Sequence, residues 1–441
     1  MDSTSQQRRS ISTCIQILNT ILGGGAGIVP LPHAIRLSGL RFGLWIILAC
    51  GALSAYTACA IVSASCLVNE RTYESVAKRT IGPAGAFAVR LLLIAFAFGS
   101  GVVALSIFAD VAQSWLGARR LCVALAGCAV TPLVVFLRRI EALTPFSVFA
   151  SALVFVFLAF AVETYASGGS YAAREVPPSS TGNSLLQATS VINLSFNTHF
   201  NLLPLFHALG GVVPLGGSIS PKLMRRQQAL MHSLICVASA LALVIYAAIA
   251  ALGCVTFGGK PSGNTLADYS GVGAFGHWIN NALAIAQLVT LPLLVHEGVR
   301  EAISLVGSSS SCGGSASGEQ QALLQRHSHE GHTHQTSHHP SHDSSGVEGA
   351  AGVSRRVEQL CGTVWCALMT LVALGAADTS TALGIVSAIC GAPLMSVLPL
   401  WMLLRADDGM GALARAGNTL LLAVGTAATV SCSLNALGAV G

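Results

Sequence analysis

Two interruptions in otherwise apolar stretches combine residue types that can bind a charged small molecule. The first is rich in glycine and comprises Gly23, Gly24, Gly25, Ala26 and Gly27, with Pro30 and Pro32 after it. The second is rich in polar side chains and comprises Asn193, Ser195, Asn197, Thr198, His199 and Asn201. Neither run makes a good interior for an apolar helix, since glycine lacks helix propensity and buried polar groups need partners.

Each interruption has two interpretations. The glycine cluster fits either close packing of helices through small residues or a helix that is broken within a membrane. The polar cluster fits either interhelical hydrogen bonds or a second broken helix. Paired broken helices in two halves of a chain are typical of a transporter's binding site. Free N–H groups at a half-helix N-terminus suit a carboxylate, whereas unwound carbonyls suit an ammonium group or a cation. A zwitterionic amino acid carries both charges, so we favour two broken helices.

The acidic residues narrow the substrate class. Within the apolar stretches they include Asp110, Glu163 and Glu297, all near predicted helix ends. Because no carboxylate lies clearly at the membrane midplane, a proton relay of acidic side chains is disfavoured. A cationic substrate side chain would also lack an obvious counter-charge. Neutral amino acids therefore fit best. His199 is the one deep group whose ordinary pKa lies near neutrality, which leaves proton coupling and plain hydrogen bonding both open.

The composition is that of a protein embedded in lipid. Of the 441 residues 53% are hydrophobic and only 9% are charged, against about 25% charged in a typical soluble domain. The net charge of +5 is small and no basic stripe occurs, so nucleic acid is not an expected partner. The 13 cysteines include no CxxC pair, and most lie in apolar runs as packing residues.

Stretches of about 20 apolar residues, the length that crosses a bilayer, predict an all-α protein with about eleven transmembrane helices. The predicted spans are Ser12–Leu37, Phe42–Val68, Phe87–Leu116, Leu121–Leu137, Pro145–Tyr165, Ser184–Leu209, Ala229–Phe257, Val272–Val306, Val357–Ala376, Ala382–Leu404 and Ala414–Leu437. The first and sixth spans contain the two interruptions. If helices 1–5 and 6–10 form two repeats, these two spans occupy corresponding places.

The distribution of basic residues predicts an orientation. With the N-terminus in the cytosol, 17 of the 23 Lys and Arg residues fall on the cytosolic side. The chain then divides into a cytosolic tail (1–11), helices 1–8 (12–306), a cytosolic loop (307–356) and helices 9–11 (357–441). The loop is rich in Ser, Gly and His without apolar periodicity, which predicts disorder. The plasma membrane and a vacuolar or lysosomal membrane are both compatible.

The loop concentrates histidine, a common ligand of transition metals. The histidines are His327, His329, His332, His334, His338, His339 and His342. A linker without a metal role, metal sensing and pH sensing are three interpretations. The first four residues are weak metal-binding candidates, and they sustain a rival hypothesis of a divalent-metal (zinc) transporter. Against it, no span contains the HxxxH or HxxxD spacing that puts two ligands on one helix face.

Several motifs resemble those of the amino acid/auxin permease family, which includes the sodium-coupled neutral amino acid transporters. The segment from Asn19 to Pro32 resembles the first helix of that family, and Leu194–Leu209 resembles the sixth. Gly253–Gly258 is similar to the end of the seventh helix, and Thr290-Leu-Pro292 to part of the eighth. The resemblance runs from about Thr13 to Ile303. The loop before helix six (167–182) departs from some relatives because it contains no cysteine.

The resemblance implies a fold and a set of site residues. The fold is a five-helix inverted repeat with broken helices 1 and 6, working by alternating access. By position, Gly23–Gly27 and the residues Ser195, Phe196, Asn197 and His199 correspond to the substrate site. Asn19 and Thr290 correspond to a cation or coupling site. Thr290 has a second interpretation, a hydrogen bond back to its own helix.

The sequence thus predicts a secondary active transporter of neutral amino acids, coupled to a proton or sodium gradient. The alternatives are the metal transporter and a membrane sensor that binds amino acids. No nucleophile paired with a base and no phosphate-binding loop occurs, so we expect neither an enzyme nor an organic cofactor. The expected partners are an amino acid substrate and the lipid bilayer, and the oligomeric state is left open.

Overall fold

The structure is a computed structural model that describes residues 3–22, 27–136, 144–167, 182–209, 221–258, 261–310, 355–376 and 379–438. All regular elements in these ranges are helical. They are α1 (Ser3–Leu22), α2 (Leu31–Ser38), α3 (Leu40–Val68), α4 (Tyr73–Thr80), α5 (Gly82–Leu116), α6 (Arg119–Phe136), α7 (Thr144–Ala166), α8 (Gly182–Ser195), α9 (His199–Ala208), α10 (Pro221–Phe257), α11 (Thr265–Ser270), α12 (Gly273–Ser310), α13 (Arg355–Gly375), α14 (Thr379–Val386), α15 (Leu398–Ala406) and α16 (Ala412–Gly438). Two short π-helical segments, Ser387–Gly391 and Pro393–Val397, join α14 to α15.

The predicted all-helical membrane fold is confirmed. Within the described ranges, nine spans are long and apolar enough to cross a membrane. Two further crossings each consist of two shorter helices, α1 with α2 and α8 with α9, which makes the expected total of eleven. The halves of these two broken helices pair crosswise, since α1 packs against α9 and α2 packs against α8. The breaks therefore lie at the centre of the bundle.

Some helices extend beyond the predicted spans. Helix α10 begins at Pro221 instead of Ala229, because Lys222, Arg225 and Arg226 keep their side chains exposed while the backbone remains helical. Helix α12 continues to Ser310, inside the loop expected from residue 307 onward. Short helices α4 and α11 were not predicted, because each is too short to show an apolar period.

Helix α4 begins at a capping box. The Thr72 hydroxyl accepts a hydrogen bond from the Ser75 amide, and the Ser75 hydroxyl accepts one from the Thr72 amide, both at 3.1 Å. Glu74 lies in the first turn and Lys78 with Arg79 in the last, where each complements the helix dipole. Tyr73 and the rest of the apolar face are buried against the bundle, so this short helix is fixed in place.

Helix α5 carries an ion pair toward each of its ends. Near its beginning, Arg90 contacts Glu74 of α4 at 2.5 Å and Glu301 of α12 at 3.8 Å. Near its end, Asp110 accepts a hydrogen bond from Arg119 of α6 at 2.8 Å. The 20 residues between Arg90 and Asp110 span about 30 Å at a rise of 1.5 Å per residue. Each pair ties neighbouring helices together at one end of the bundle.

The second ion pair is the centre of a larger network. The other oxygen of Asp110 accepts a hydrogen bond from the Thr379 hydroxyl at 2.6 Å, which joins α14 to α5. Arg119 also donates to the carbonyl of Ala376 at 2.8 Å, and the Asn264 amide donates to the Ile107 carbonyl at 3.2 Å. Asp110 thus accepts hydrogen bonds from Arg119 of α6 and Thr379 of α14, and a longer one of 3.5 Å from the Asn264 amide that precedes α11.

The tenth crossing is π-helical where two prolines remove backbone donors. A proline at position i leaves the carbonyl at i−5 without its π-helical partner, which here frees the carbonyls of Ala388 and Leu394. The Ser433 hydroxyl of α16 donates to the Ala388 carbonyl at 2.9 Å, and the Tyr73 hydroxyl of α4 donates to the Leu394 carbonyl at 2.7 Å. Neighbouring side chains therefore satisfy the backbone that Pro393 and Pro399 leave open.

We expect Asp110→Asn to lower the free energy of unfolding by about 1–3 kcal/mol, because Arg119 loses its charged acceptor in a partly buried site. The measurement is thermal unfolding of the purified protein in detergent. Glu70→Gln makes the same chemical change in the Glu70–Arg79 pair, where the arginine is 69% exposed and the separation is 3.6 Å. That control should shift the midpoint little, since exposed pairs contribute about 0–1 kcal/mol. Equal shifts in both variants would contradict the assigned role of Asp110.

Candidate substrate site between the broken helices

The first break separates α1 from α2. Helix α1 ends at Leu22 and α2 begins at Leu31; the predicted site residues Gly23, Gly24, Gly25 and Ala26 lie outside the described residues. Gly27 is described, and a Cβ atom added to it would lie 2.2 Å from the Tyr246 hydroxyl oxygen. The next turn is tied to α11, because the Thr265 amide donates to the Val29 carbonyl at 3.0 Å.

The second break separates α8 from α9 by Phe196, Asn197 and Thr198. The last turn of α8 tightens, since the Phe196 amide donates to the Asn193 carbonyl at 3.2 Å and the Asn197 amide to the Leu194 carbonyl at 3.0 Å. The Ser195 carbonyl is left beyond the end of the α-helical ladder. All three residues between the helices are buried, so their polar groups need partners within the protein or from a ligand.

One tyrosine of α10 contacts both breaks. The hydroxyl of Tyr246 lies 2.6 Å from the Ile21 carbonyl in the last turn of α1 and 2.8 Å from the Ser195 carbonyl at the end of α8. The side chain is fully buried, and its ring packs edge-on against Phe196 with centroids 5.0 Å apart. Two carbonyl oxygens near half-helix C-termini therefore share one hydroxyl group.

Helix α3 holds the second break from the other side. The Ser54 hydroxyl donates to the Phe196 carbonyl at 2.9 Å. One turn further, the Thr57 hydroxyl lies 2.9 Å from Nε2 of His199, which is fully buried at the start of α9. These two contacts position the unwound residues between α3 and α10, the helix that carries Tyr246.

The Thr57 contact assigns the tautomer of His199. The hydroxyl of Thr57 has one hydrogen, and the Leu53 carbonyl at 2.8 Å can only accept it. The His199 Nε2 then donates to the Thr57 oxygen, so a neutral ring carries its proton on Nε2. Its Nδ1 is a bare acceptor, and it has no partner among the described residues.

Further polar atoms near His199 also lack partners. Both polar atoms of the Asn197 side chain and the hydroxyl of Thr198 are buried without a hydrogen bond from the described part of the chain. In α12, both polar atoms of Gln287, a side chain that is 97% buried, also lack a partner among the described residues, but no contact places this residue at the break. Each unpaired buried group costs about 1–3 kcal/mol. A concentration of them around one break indicates a place that a polar ligand or water completes.

The two predicted cation-site residues have separate surroundings. Asn19 Oδ1 accepts a hydrogen bond of 2.6 Å from Ser151 of α7. The Thr290 hydroxyl donates to the Gln287 carbonyl at 3.1 Å, so this side chain makes the hydrogen bond back to its own helix that was the alternative to a cation site. Among the described residues no hydrogen bond joins Asn19 to Thr290, so the structure does not bring the two side chains together through direct bonding.

The weak metal candidates His327, His329, His332 and His334 lie outside the described residues. Among the residues that are described, no group of three or more His, Cys, Asp or Glu side chains could hold a metal ion. The described ion pairs likewise involve no residue of either break.

Sequence reasoning missed several residues that the structure places around the breaks, Ser54, Thr57, Ser151 and Tyr246, and it also missed the buried, unpaired Gln287 of α12. One signal was available, since a Tyr or Gln side chain in an otherwise apolar membrane helix needs a hydrogen-bond partner. That rule would have selected Tyr246 and Gln287. It would not have selected the serine and threonine residues, because their hydroxyls also bond back to their own helices.

The arrangement puts complementary charges at the break of helix 6. Helix α8 ends at Ser195 with a negative dipole end, and α9 begins at His199 with a positive one. The N-cap residue Thr198 makes no side-chain cap, and although the Asn201 amide donates to the Thr198 carbonyl at 3.1 Å, the amides before it at the start of α9 suit an anionic group. A small molecule with a carboxylate and an ammonium group matches this polarity.

Comparisons with known proteins match most of the chain to one family. Residues 8–408 match the model of a family described as transmembrane amino acid transporter protein. The amino acid transporter AVT6D of Arabidopsis thaliana is 28% identical over 229 residues, which cover 46% of this chain and 52% of that protein. The chain thus spans about half the length of this curated relative.

A solved structure shares the fold at low identity, and another gives a lower score. A mutant of the manganese transporter from Eremococcus coleocola superposes with a TM-score of 0.57 at 12% identity, covering all of this chain and 88% of that one. An inward-facing structure of Mhp1 has a TM-score of 0.49 at 15% identity, covering 95% and 88%. At these identities the first likeness concerns the fold alone.

We expect Gly27→Ala to be strongly destabilising, because its methyl group would have to displace the Tyr246 hydroxyl from both breaks. The midpoint of thermal unfolding should fall by several degrees, and amide hydrogen exchange at 196–198 should accelerate. Gly417→Ala in α16 is the control, since nothing lies within 4 Å of the added atom. A Gly27→Ala variant as stable as the control would contradict the close approach.

We expect the ¹⁵N spectrum of histidine-labelled protein to show His199 protonated on Nε2 and bare on Nδ1, with His199→Gln identifying the signal. Thr57→Val keeps the volume but removes the acceptor of Nε2, so the fixed tautomer should be lost or the Nε2 signal should shift. Thr426→Val, at an exposed hydroxyl bonded only to Leu422 of its own helix, serves as the control. A signal protonated on Nδ1 in the wild type would overturn the tautomer assignment.

Proposed function

The chain belongs to the transmembrane amino acid transporter family, and from this premise we propose that it carries small neutral amino acids across a membrane by secondary active transport. A proton or sodium gradient supplies the energy in this proposal. The observation that supports it most is the break between α8 and α9, where buried polar atoms of Asn197, Thr198 and His199 lack partners between two oppositely charged helix ends.

The binding mode that we propose divides the two charged groups of the substrate between the two breaks. The substrate carboxylate binds the backbone and helix dipole at Gly23–Gly27, at the break of helix 1. The ammonium group binds the unwound part of helix 6, where the bare Nδ1 of His199 and the amide oxygen of Asn197 can each accept an N–H. Phe196 and the neighbouring side chains shape the pocket for the substrate side chain.

Neutral substrates are favoured by the charges around the breaks. The described ion pairs lie elsewhere: one joins Arg79 of α4 to Glu70 just before that helix, and the others join α4, α5, α6 and α12 near the ends of the bundle. A cationic or anionic substrate side chain would need an opposite charge within reach to offset its desolvation. The proposed ligand therefore carries charge only on its carboxylate and ammonium groups.

The proposed transport cycle uses the breaks as hinges. The halves of each broken helix are separate rigid elements, so α1 with α9 can move relative to α2 with α8 around a fixed site. Asn19 and Thr290 are proposed to order a coupled cation or the backbone around it. We further propose that the N-terminus and the histidine-rich loop are cytosolic, on the basis of the Lys and Arg distribution.

The test is uptake of a mixture of labelled amino acids by proteoliposomes, with sodium and pH gradients imposed separately. We expect gradient-driven uptake that falls about tenfold in Asn19→Ala, because a deep amide loses its role in the site. Asn281→Ala is the matched control, since that amide bonds only the His277 carbonyl of its own helix. A deletion of Ser308–Ser345 should leave uptake intact if the histidine-rich loop has no part in transport.

Other outcomes would redirect the assignment. Absence of uptake under either gradient, in protein that remains folded, would contradict amino acid transport. Zinc flux that depends on the histidine-rich loop would then support the metal transporter. Amino acid binding without flux would support a sensor.

A further inference from the structure

Two half-helices direct their C-terminal carbonyls to one point. Ile21 lies in the last turn of α1 and Ser195 is the last residue of α8, and their carbonyl oxygens approach the same hydroxyl group, that of Tyr246. Each half-helix C-terminus carries a partial negative charge. Two such ends brought together repel each other unless something positive lies between them.

In membrane transporters, half-helix C-termini and unwound carbonyls are the groups that coordinate a driving cation. Here the position between the two carbonyls is occupied by the chain itself. The positive group is the hydroxyl hydrogen of Tyr246, which is tethered to α10 and cannot leave. One hydrogen serves two acceptors, at 2.6 and 2.8 Å.

Described residues pack closely around this hydroxyl. Even a methyl group on Gly27 would come within 2.2 Å of it. The Phe196 ring covers the phenol edge-on, and Tyr246 has no exposed surface. Ser54 fixes the next carbonyl, that of Phe196, so the carbonyl of residue 196 is also occupied by a protein donor.

We propose that Tyr246 is a positioning residue whose hydroxyl takes the place of a cation between the two broken helices. The two breaks then keep their relative position without any bound ion, and the ion that drives transport binds elsewhere. This inference rests on the proposed function only for its effect on transport; the effect on the two breaks can be measured in a protein that transports nothing.

The first experiment is amide hydrogen exchange of the full chain in detergent, with choline as the only added monovalent cation. Tyr246→Phe keeps the ring and removes the donor, so exchange in peptides covering both breaks should accelerate together by about tenfold. Tyr73→Phe is the matched control, because it also removes a buried phenol bonded to a carbonyl, that of Leu394 at 2.7 Å. It should leave the two breaks unchanged.

A second variant tests whether the position can hold a cation. Tyr246→Ala removes both the donor and the ring, which opens space next to the two carbonyls. Sodium should then slow exchange at both breaks relative to choline, beyond any sodium effect in the wild type. In Tyr246→Phe sodium should have no such effect, because the ring still fills the space.

Transport gives an independent measurement. With amino acid uptake established, Tyr246→Phe should raise KM by about tenfold with a smaller change in maximal rate, since the geometry of the binding site is lost. Tyr73→Phe should leave KM unchanged. If the wild type takes up no amino acid, the proposed function fails while the exchange experiments still decide the role of Tyr246.

The inference is overturned if exchange at the breaks in Tyr246→Phe equals that of the wild type. It is equally overturned if Tyr246→Phe and Tyr73→Phe alter the breaks to the same extent, which indicates a general loss of stability. The proposal is also overturned if Tyr246→Ala is folded and sodium slows its exchange at the breaks no more than in the wild type, because the position then cannot hold a cation.

Discussion

A backbone carbonyl that loses its helical partner in a membrane has no water to replace it, and the fold of this protein depends on how that need is met. At several places among the described residues a hydroxyl from another helix supplies a donor to such a carbonyl. Tyr246 serves the ends of α1 and α8, Ser433 serves Ala388, and Tyr73 serves Leu394. Interrupted helices are stable here because neighbouring helices contribute these donors. The same donors fix the interrupted helices in position relative to the rest of the bundle.

At the candidate site, by contrast, several buried polar side chains have no hydrogen-bond partner among the described residues. Around the break of helix 6, the backbone of Phe196 has a donor from Ser54, whereas the side chains of Asn197 and Thr198 have none among the described residues. His199 is satisfied on one nitrogen and open on the other. A rigid backbone with unpaired side chains is preorganised for a polar ligand, because little conformational entropy is lost when the ligand binds.

The membrane-crossing helices and their two breaks could be predicted from the sequence, because both depend on local composition. Lipid selects apolar runs of fixed length, and a cluster of glycines or of polar residues interrupts them wherever it occurs. The contacts that hold the breaks were not predictable in this way. Tyr246 and Ile21 lie 225 positions apart, and no periodicity links a phenol to a carbonyl. The π-helical turns at Pro393 and Pro399 were missed for the same reason, since their hydroxyl donors come from α4 and α16.

The two ion pairs on α5 have a consequence for how the protein sits in its bilayer. They are separated by about 30 Å along the helix axis, and neither can enter hydrocarbon without a large desolvation cost. At a tilt of about 20°, which is common for membrane helices, the same separation projects to about 28 Å along the bilayer normal. The bundle can therefore align with the bilayer normal in a thicker bilayer and tilt away from it in a thinner one. Hydrophobic mismatch is then absorbed by tilt, and the helices around the breaks keep their packing.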